Sequence, residues 1–432
     1  MHSTIKRHTV HAALLALLLV PATGCTDGSS SPPSRAEPVP GTTAADGEGL
    51  GDVIVGGRPV TGSKPSGNAK VPYRRTYTDG QLYASVTGYR SMAYGRTGLE
   101  ALYDDVLAAG NSGRVVTTID PAVQKAAADA LKGRRGAAIA LEVGSGRVLG
   151  LVSAPSFDPS LFSGAGAVDE ATWQKLQGDA DKPMLNRPLR KAVEPGGTFG
   201  VVVAAAALEE GLYASVDEHT RSPKRAADAA RCENASIRSA LRYSCDNVFA
   251  GMAVELGHSR LAAMAEAFGF NDAELAVPVR AAESVYPTGD VSAADLALTG
   301  AGQGGVTATP LEMARVMAVV AGGGKLVAPH MVASPGRPRG SGGAGTEQTI
   351  RQKTAAELRS ALESAAADAA PGGTVLGGTT GSAVAPAAAW FVSYARSGSG
   401  DGGKLIAMAV CVEGGDEAVA VRVAEAMGKA AS

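Results

Sequence analysis

AVEPGGTFGVVVAAAALEEG, residues 192–211, decides the reading of this chain. Pro195 and Gly196 interrupt the backbone, and the apolar run VVVAAAALEEG reads as a core helix held by its buried face. Gly197 and Gly200, three apart and so on one helix face, stand at the start of that helix. Gly200 loosens the first turn, since glycine inside a helix costs roughly 1 kcal/mol relative to alanine.

The rest of the chain frames that stretch. Its 432 residues allow two or three domains and a sizeable core. With 40 basic and 42 acidic residues the net charge is −2, which argues against nucleic acid as a partner. Lys6 and Arg7 precede an apolar run, Ala12 to Val20, too short to span a bilayer but suited to a signal-peptide core. Residues 1–25 therefore read as a lipoprotein-type signal ending in PATGC, although Ala22 stands where a larger aliphatic residue is usual. A plain secretory signal with an incidental Cys25 is the alternative. Acylation at Cys25 would supply a stable lipid anchor on the outer face of the cytoplasmic membrane. Residues 26–50, rich in Ser, Pro, Gly and Thr, read as a disordered tether, and SPGRPRGSGGAGT (334–346) reads as a loop.

Apolar runs at 136–143 and 146–153, joined by Gly144-Ser145, predict one hairpin. WFVSYA (390–395) and KLIAMAVCVE (404–413) predict a second, and DEAVAVRVAEAMGKA predicts a closing amphipathic helix. Strands at both ends with helices between them imply an α+β domain. Cys411 reads as a core residue. Cys232 and Cys245 read either as a disulfide, closing a loop of about 13 residues for roughly 3 kcal/mol, or as two buried thiols. His219, His258 and His330 have no metal-ligand spacing, so no metal and no cofactor are expected. GAGQGG (300–305) follows a helical segment rather than a strand and does not read as a dinucleotide fingerprint. Trp173 and Trp390 read as packing residues.

Seven collinear stretches resemble the penicillin-binding proteins, specifically the small class B transpeptidases of high-GC Gram-positive bacteria. They are VPYRRTYTDGQLYASVTGYRSMAYGRTGLE (71–100), TTIDPAVQKAAADAL (117–131), SAPSFDPS (153–160), NRPLRKAVEPGGTFG (186–200), ALRYSCDNVFA (240–250), GQGGVTATPLEMARVMAVVAGGG (302–324), and GGTTGSA with AAWFVSYA (377–395). The resemblance implies a penicillin-binding transpeptidase domain, similar to the serine β-lactamases, at about 116–432. Its mainly antiparallel sheet would be flanked by helices and preceded by a small N-terminal pedestal at about 51–115.

The same resemblance implies where chemistry would sit. In the family's S-x-x-K motif the serine is acylated and the lysine takes its proton; here those positions are Gly197 and Gly200. S-x-N maps to Ser244-Cys245-Asp246, with Asp in place of Asn. K-T-G maps to Thr379-Thr380-Gly381, without the lysine that attracts the substrate carboxylate. Removing one member of such a unit in a serine protease already costs about a million-fold in turnover. Two missing lysines and an added aspartate would leave the pocket about three charges more negative, which repels an anionic donor peptide. Thr198 would point about 100° away on a helix. Cys245 has no histidine near it in sequence, and Ser244 with Asp246 reads as an ordinary capping pair. The expectation is a degenerate, non-acylating member that acts as a scaffold or regulatory binding protein among cell-wall synthesis proteins. The alternatives are an active D,D-transpeptidase with another nucleophile such as Ser244, and a non-catalytic receptor for the peptidoglycan stem peptide.

Overall fold

The computed structural model describes residues 48–223, 230–333, 346–384, 386–398 and 403–432. The signal, Cys25, nearly all of the tether and the loop at 334–345 lie outside the described residues. At 48–50 the chain is already tied to the fold, because Leu50 N donates to Ser63 Oγ at 3.0 Å.

In the N-terminal part, β1 (Asp52–Val55) runs beside a long hairpin of β2 (Thr61–Asn68) and β3 (Val71–Tyr77), followed by α1 (Gly80–Thr87). β4 (Arg114–Val116) then pairs with β1 in parallel. A buried ion pair pins this part together: Arg75, 1 % exposed, faces Glu100, 0 % exposed, with Nε–Oε1 2.6 Å and Nη2 donating to Oε2 at 3.0 Å. The second bond matters because a buried charge is tolerated only when paired and hydrogen-bonded.

α2 (Pro121–Ala130) starts at Asp120, whose Oδ1 accepts from Ala122 N and Val123 N at 2.8 and 3.1 Å, with proline in the first turn. Buried Gln124 on this helix accepts from Leu151 N at 2.8 Å and donates to the carbonyls of Leu82 and Leu151. One side chain thus ties α1, α2 and the main sheet together.

That sheet contains β5 (Gly136–Glu142), β6 (Val148–Ala154), β7 (Val375–Val384), β8 (Ala387–Ser397) and β9 (Lys404–Glu413). Its order is β7-β8-β9-β5-β6 and every pairing is antiparallel. Two-residue alternation sorts its side chains. Ala138, Ala140, Phe391, Met408 and Val410 face α2 and the C-terminal helix, where Val123, Val423 and Met427 complete one core. Ile139, Leu141, Trp390, Val392, Ala407 and Ala409 face the opposite way, into the larger core. The β5–β6 hairpin departs from its predicted form. Ladder pairing stops at Leu141↔Val148, two residues short of the predicted ends, and Arg147 instead bridges to His330.

The larger core holds α3 (Gly200–Glu209), α4 (Ile237–Tyr243), α5 (Asp246–Leu256), α6 (Pro310–Ala321) and α7 (Gln352–Ala369); α8 (Glu417–Ala431) closes the other face. Every residue of α3 from Gly200 to Leu208 is buried, as its all-apolar sequence requires.

The segment that feeds α3 is anchored at Glu413. Its carboxylate receives Arg187 Nε at 3.0 Å, Lys191 Nζ at 2.6 Å and Arg135 Nη2 at 2.6 Å. Burial alone would raise its pKa, but the hydrogen bonds from Lys191 and Arg187 outweigh this and hold it at about 2. A depressed pKa contributes stability above the unfolded value, near 4.3, and loses it as pH falls toward the folded value. The urea midpoint of the native chain should therefore fall more steeply between pH 4.5 and about 2 than that of Glu413→Gln. Parallel curves would show that the cluster does not hold this segment.

Candidate active site

Pro195 ends the extended approach, and Gly196–Phe199 form a single 3₁₀ turn leading directly into α3. The turn lies against edge strand β7 too closely for side chains. Gly196 has φ +54°, and a Cβ there would overlap the Ser382 carbonyl. A Cβ on Gly381 would stand 2.6 Å from Thr198 N and 2.9 Å from Pro195 O. From the other side Gly196 N donates to Gly302 O at 3.1 Å. Trp390, wholly buried, donates its Nε1 hydrogen to Glu194 O at 2.9 Å.

Gly197 differs from these packed glycines. Its φ is not left-handed, and a Cβ built on it meets only ordinary contacts: Asp246 Oδ1 at 3.5 Å, Ser244 Cβ at 3.6 Å and Thr380 O at 3.6 Å. Residue 197 therefore has room for a side chain, aimed where the segments 244–246 and 379–381 converge. Four of the sequence-derived positions, Gly197, Ser244, Asp246 and Thr380, come together here.

Gly200 has no such room. Its Cβ position lies 2.6–2.8 Å from three ring atoms of Phe249, itself fully buried on α5. The ring occupies the space that the first carbon of a longer side chain would need. Phe249 escaped the sequence reading because only the α3–α5 packing places it against Gly200.

Ser244 ends α4 in the left-handed conformation, φ 50° and ψ 55°. Its hydroxyl donates to Thr380 O at 3.2 Å and lies 3.4 Å from Thr380 Oγ1. Cys245 is joined to Cys232 by a disulfide with Cα atoms 5.4 Å apart, so it carries no thiol. Asn247 reinforces this tie, donating to the carbonyl of Cys232 at 2.7 Å and to that of Ser222 at 3.2 Å. Thr379 is buried, and its Oγ1 donates to Leu241 O at 2.8 Å. Thr198 is likewise buried, bonded to Pro195 O at 2.7 Å.

The atoms nearest the Gly197 Cβ position are thus a carboxylate, a serine methylene and a backbone carbonyl. Of these only the Asp246 carboxylate can accept a proton, as a weaker base than the neutral amine of a lysine, and it faces a residue with no hydroxyl to give one. Among the described residues no cluster of His, Cys, Asp or Glu could hold a metal ion. His219 and His258 each bond a backbone carbonyl, of Asn234 and Pro287.

Comparison with known proteins places this geometry. Residues 136–431 match the family described as the penicillin binding protein transpeptidase domain, and residues 50–130 match the penicillin binding protein A dimerisation domain. The chain is 33% identical over 374 residues to peptidoglycan D,D-transpeptidase PbpA of Mycolicibacterium smegmatis, covering 77% of this chain and 75% of that protein. It is 30% identical to PbpA of Mycobacterium tuberculosis, covering 96% and 94%. The crystal structure of PBPA from Mycobacterium tuberculosis superposes with a TM-score of 0.78 at 29% identity, over 89% of this chain and 98% of that one. The penicillin G acyl-enzyme complex of that protein superposes with a TM-score of 0.77.

The contact between Gly200 and Phe249 can be measured. In an open helix Gly→Ala would stabilise by about 1 kcal/mol. Here Gly200→Ala should instead destabilise by about 1–3 kcal/mol through overpacking. Combined with Phe249→Leu it should cost at least about 1 kcal/mol less than the sum of the single changes, read by urea denaturation. Additive effects would mean that the ring yields freely.

Proposed function

The chain belongs to the penicillin-binding protein family of peptidoglycan transpeptidases, and from that premise we propose that it is a non-acylating member serving cell-wall synthesis as a scaffold or regulatory binding protein. One observation carries the reading. The position aimed at the meeting point of the three motif segments, residue 197, has space for a side chain and no nucleophile. The second is the loss of the base at Gly200 together with the room for it, now filled by Phe249. Removing nucleophile and base together takes away the covalent step and the proton transfer that serves it.

Of the two alternative roles, the same site favours one. A stem-peptide receptor is supported by the ordinary contact distances around Gly197, which leave a reacting group's place unfilled. Acylation at Ser244 is disfavoured, because its hydroxyl donates to Thr380 O, and Thr379 and Thr198 are buried and bonded to backbone carbonyls. The signal-like residues 1–25 support export, and Cys25 supports a lipid anchor on the outer face of the cytoplasmic membrane. No helix among the described residues is long and apolar enough to cross a membrane.

The test is covalent labelling. Purified protein incubated with a fluorescent penicillin should show no adduct by denaturing gel or intact mass, and Gly197→Ser alone should stay unlabelled, because Asp246 is a weaker base than the lysine it lacks at residue 200. A variant combining Gly197→Ser, Gly200→Lys and Thr379→Lys with Phe249→Leu, to make room at residue 200, should acylate. An adduct on the native chain would overturn the non-acylating reading, and its mapped position would name the nucleophile. Saturable muropeptide binding that Gly197→Phe abolishes would select the receptor role over a purely protein-binding one. Radiolabelled palmitate should enter the native chain in cells and not Cys25→Ala; equal labelling would exclude that anchor.

A further inference from the structure

Far from residue 197 in sequence, the N-terminal part holds a cleft of ≈ 660 Å³ between the β2–β3 hairpin and the turn spanning Arg90 to Arg96. Five cations line it, Lys70, Arg74, Arg75, Arg90 and Arg96, and no carboxylate does. Three of them have partners behind the wall. Arg75 and Arg90 share Glu100, and Arg90 and Arg96 share Asp104.

Arg74 and Lys70 are different. Among the described residues neither side chain has an ion-pair or hydrogen-bond partner. Arg74 is half-buried, so part of its hydration is lost without an ion pair in return, although Asp169 shares with its Nη1 the space beside Gly164. It also stands directly opposite Lys64 across the hairpin, and like charges in that register repel. The carboxylate on its other side, Asp169, is engaged in its own turn, accepting from Gly164 N at 2.7 Å and Gly166 N at 3.0 Å. A guanidinium kept in this setting offers a planar fork of donors that matches a carboxylate or phosphate. The volume lies within the range of small-molecule sites.

We propose that this cleft binds an oxyanion-bearing ligand, a carboxylate or phosphate group seated on Arg74 with Lys70 completing the charge. The site is separate from the groove at residue 197 and stands or falls independently of whether that groove acylates.

Calorimetric titration of the full chain at constant ionic strength tests it with two probes, inorganic pyrophosphate and glutarate. At least one should bind saturably at a single site. Arg74→Gln should weaken that Kd at least about tenfold, as expected for loss of a charge-assisted pair. Lys70→Gln, a change at an exposed hairpin position, should weaken it severalfold, and Lys353→Gln on distant α7 should leave it unchanged. Tighter pyrophosphate binding would identify a phosphate ligand, and tighter glutarate binding a carboxylate one. Arg74→Lys, which keeps charge but loses the fork, should fall between native and Gln. Saturation by neither probe up to about 10 mM, or equal Kd values for the Lys70, Arg74 and Lys353 variants, would overturn the proposal.

Discussion

The constraint on which the site depends is the approach of a 3₁₀ turn to the edge of a sheet. Gly196 and Gly381 allow two backbones to meet where a methyl group on either would collide with main-chain atoms. Gly302 closes the turn from behind, and Trp390 holds the preceding carbonyl. Because these contacts are backbone to backbone, they persist whatever side chain residue 197 carries. The frame can therefore form with glycine at residue 197.

What stands in the frame is set by packing rather than by charge alone. Phe249 lies against Gly200 so closely that the missing lysine and the present ring are two descriptions of one volume. Protein interiors are packed too densely to hold an unfilled side-chain space beside a buried ring. Residue 197 escapes this, since its Cβ position faces the junction of α4, α5 and β7 with ordinary spacing. The two glycines look alike in sequence and differ in consequence: one leaves a space, the other has lost it.

The loop carrying Ser244 and Asp246 is held by the Cys232–Cys245 disulfide and by Asn247, which together bind α5 to the segment before it. Glu413 does the corresponding work for the approach to α3 through Arg187, Lys191 and Arg135. Apart from Cys245, the variable residue of the second motif, both devices lie outside the motif positions, and both tie down backbone near residue 197 without needing a reacting group there.

Much of this was legible in the chain itself. The short apolar runs in 136–153 and 390–413, broken by Gly-Ser and Gly-rich turns, mark strands, because runs of that length bounded by turn signals suit a sheet buried on both faces. The collinear motif segments marked Gly197, Ser244, Asp246, Thr379 and Thr380 as one neighbourhood, although over 180 residues of chain separate the first from the last. Sequence alone also determined that residues 197 and 200 have no side chain, hence no nucleophile and no base. Tertiary structure decided the rest. That Thr379 turns to Leu241, that Phe249 fills the place at Gly200, and that Arg74 stands without an ion pair in a cationic cleft all depend on contacts between segments distant along the chain. A residue's type fixes what it can donate or accept; only the fold fixes which neighbour is within reach.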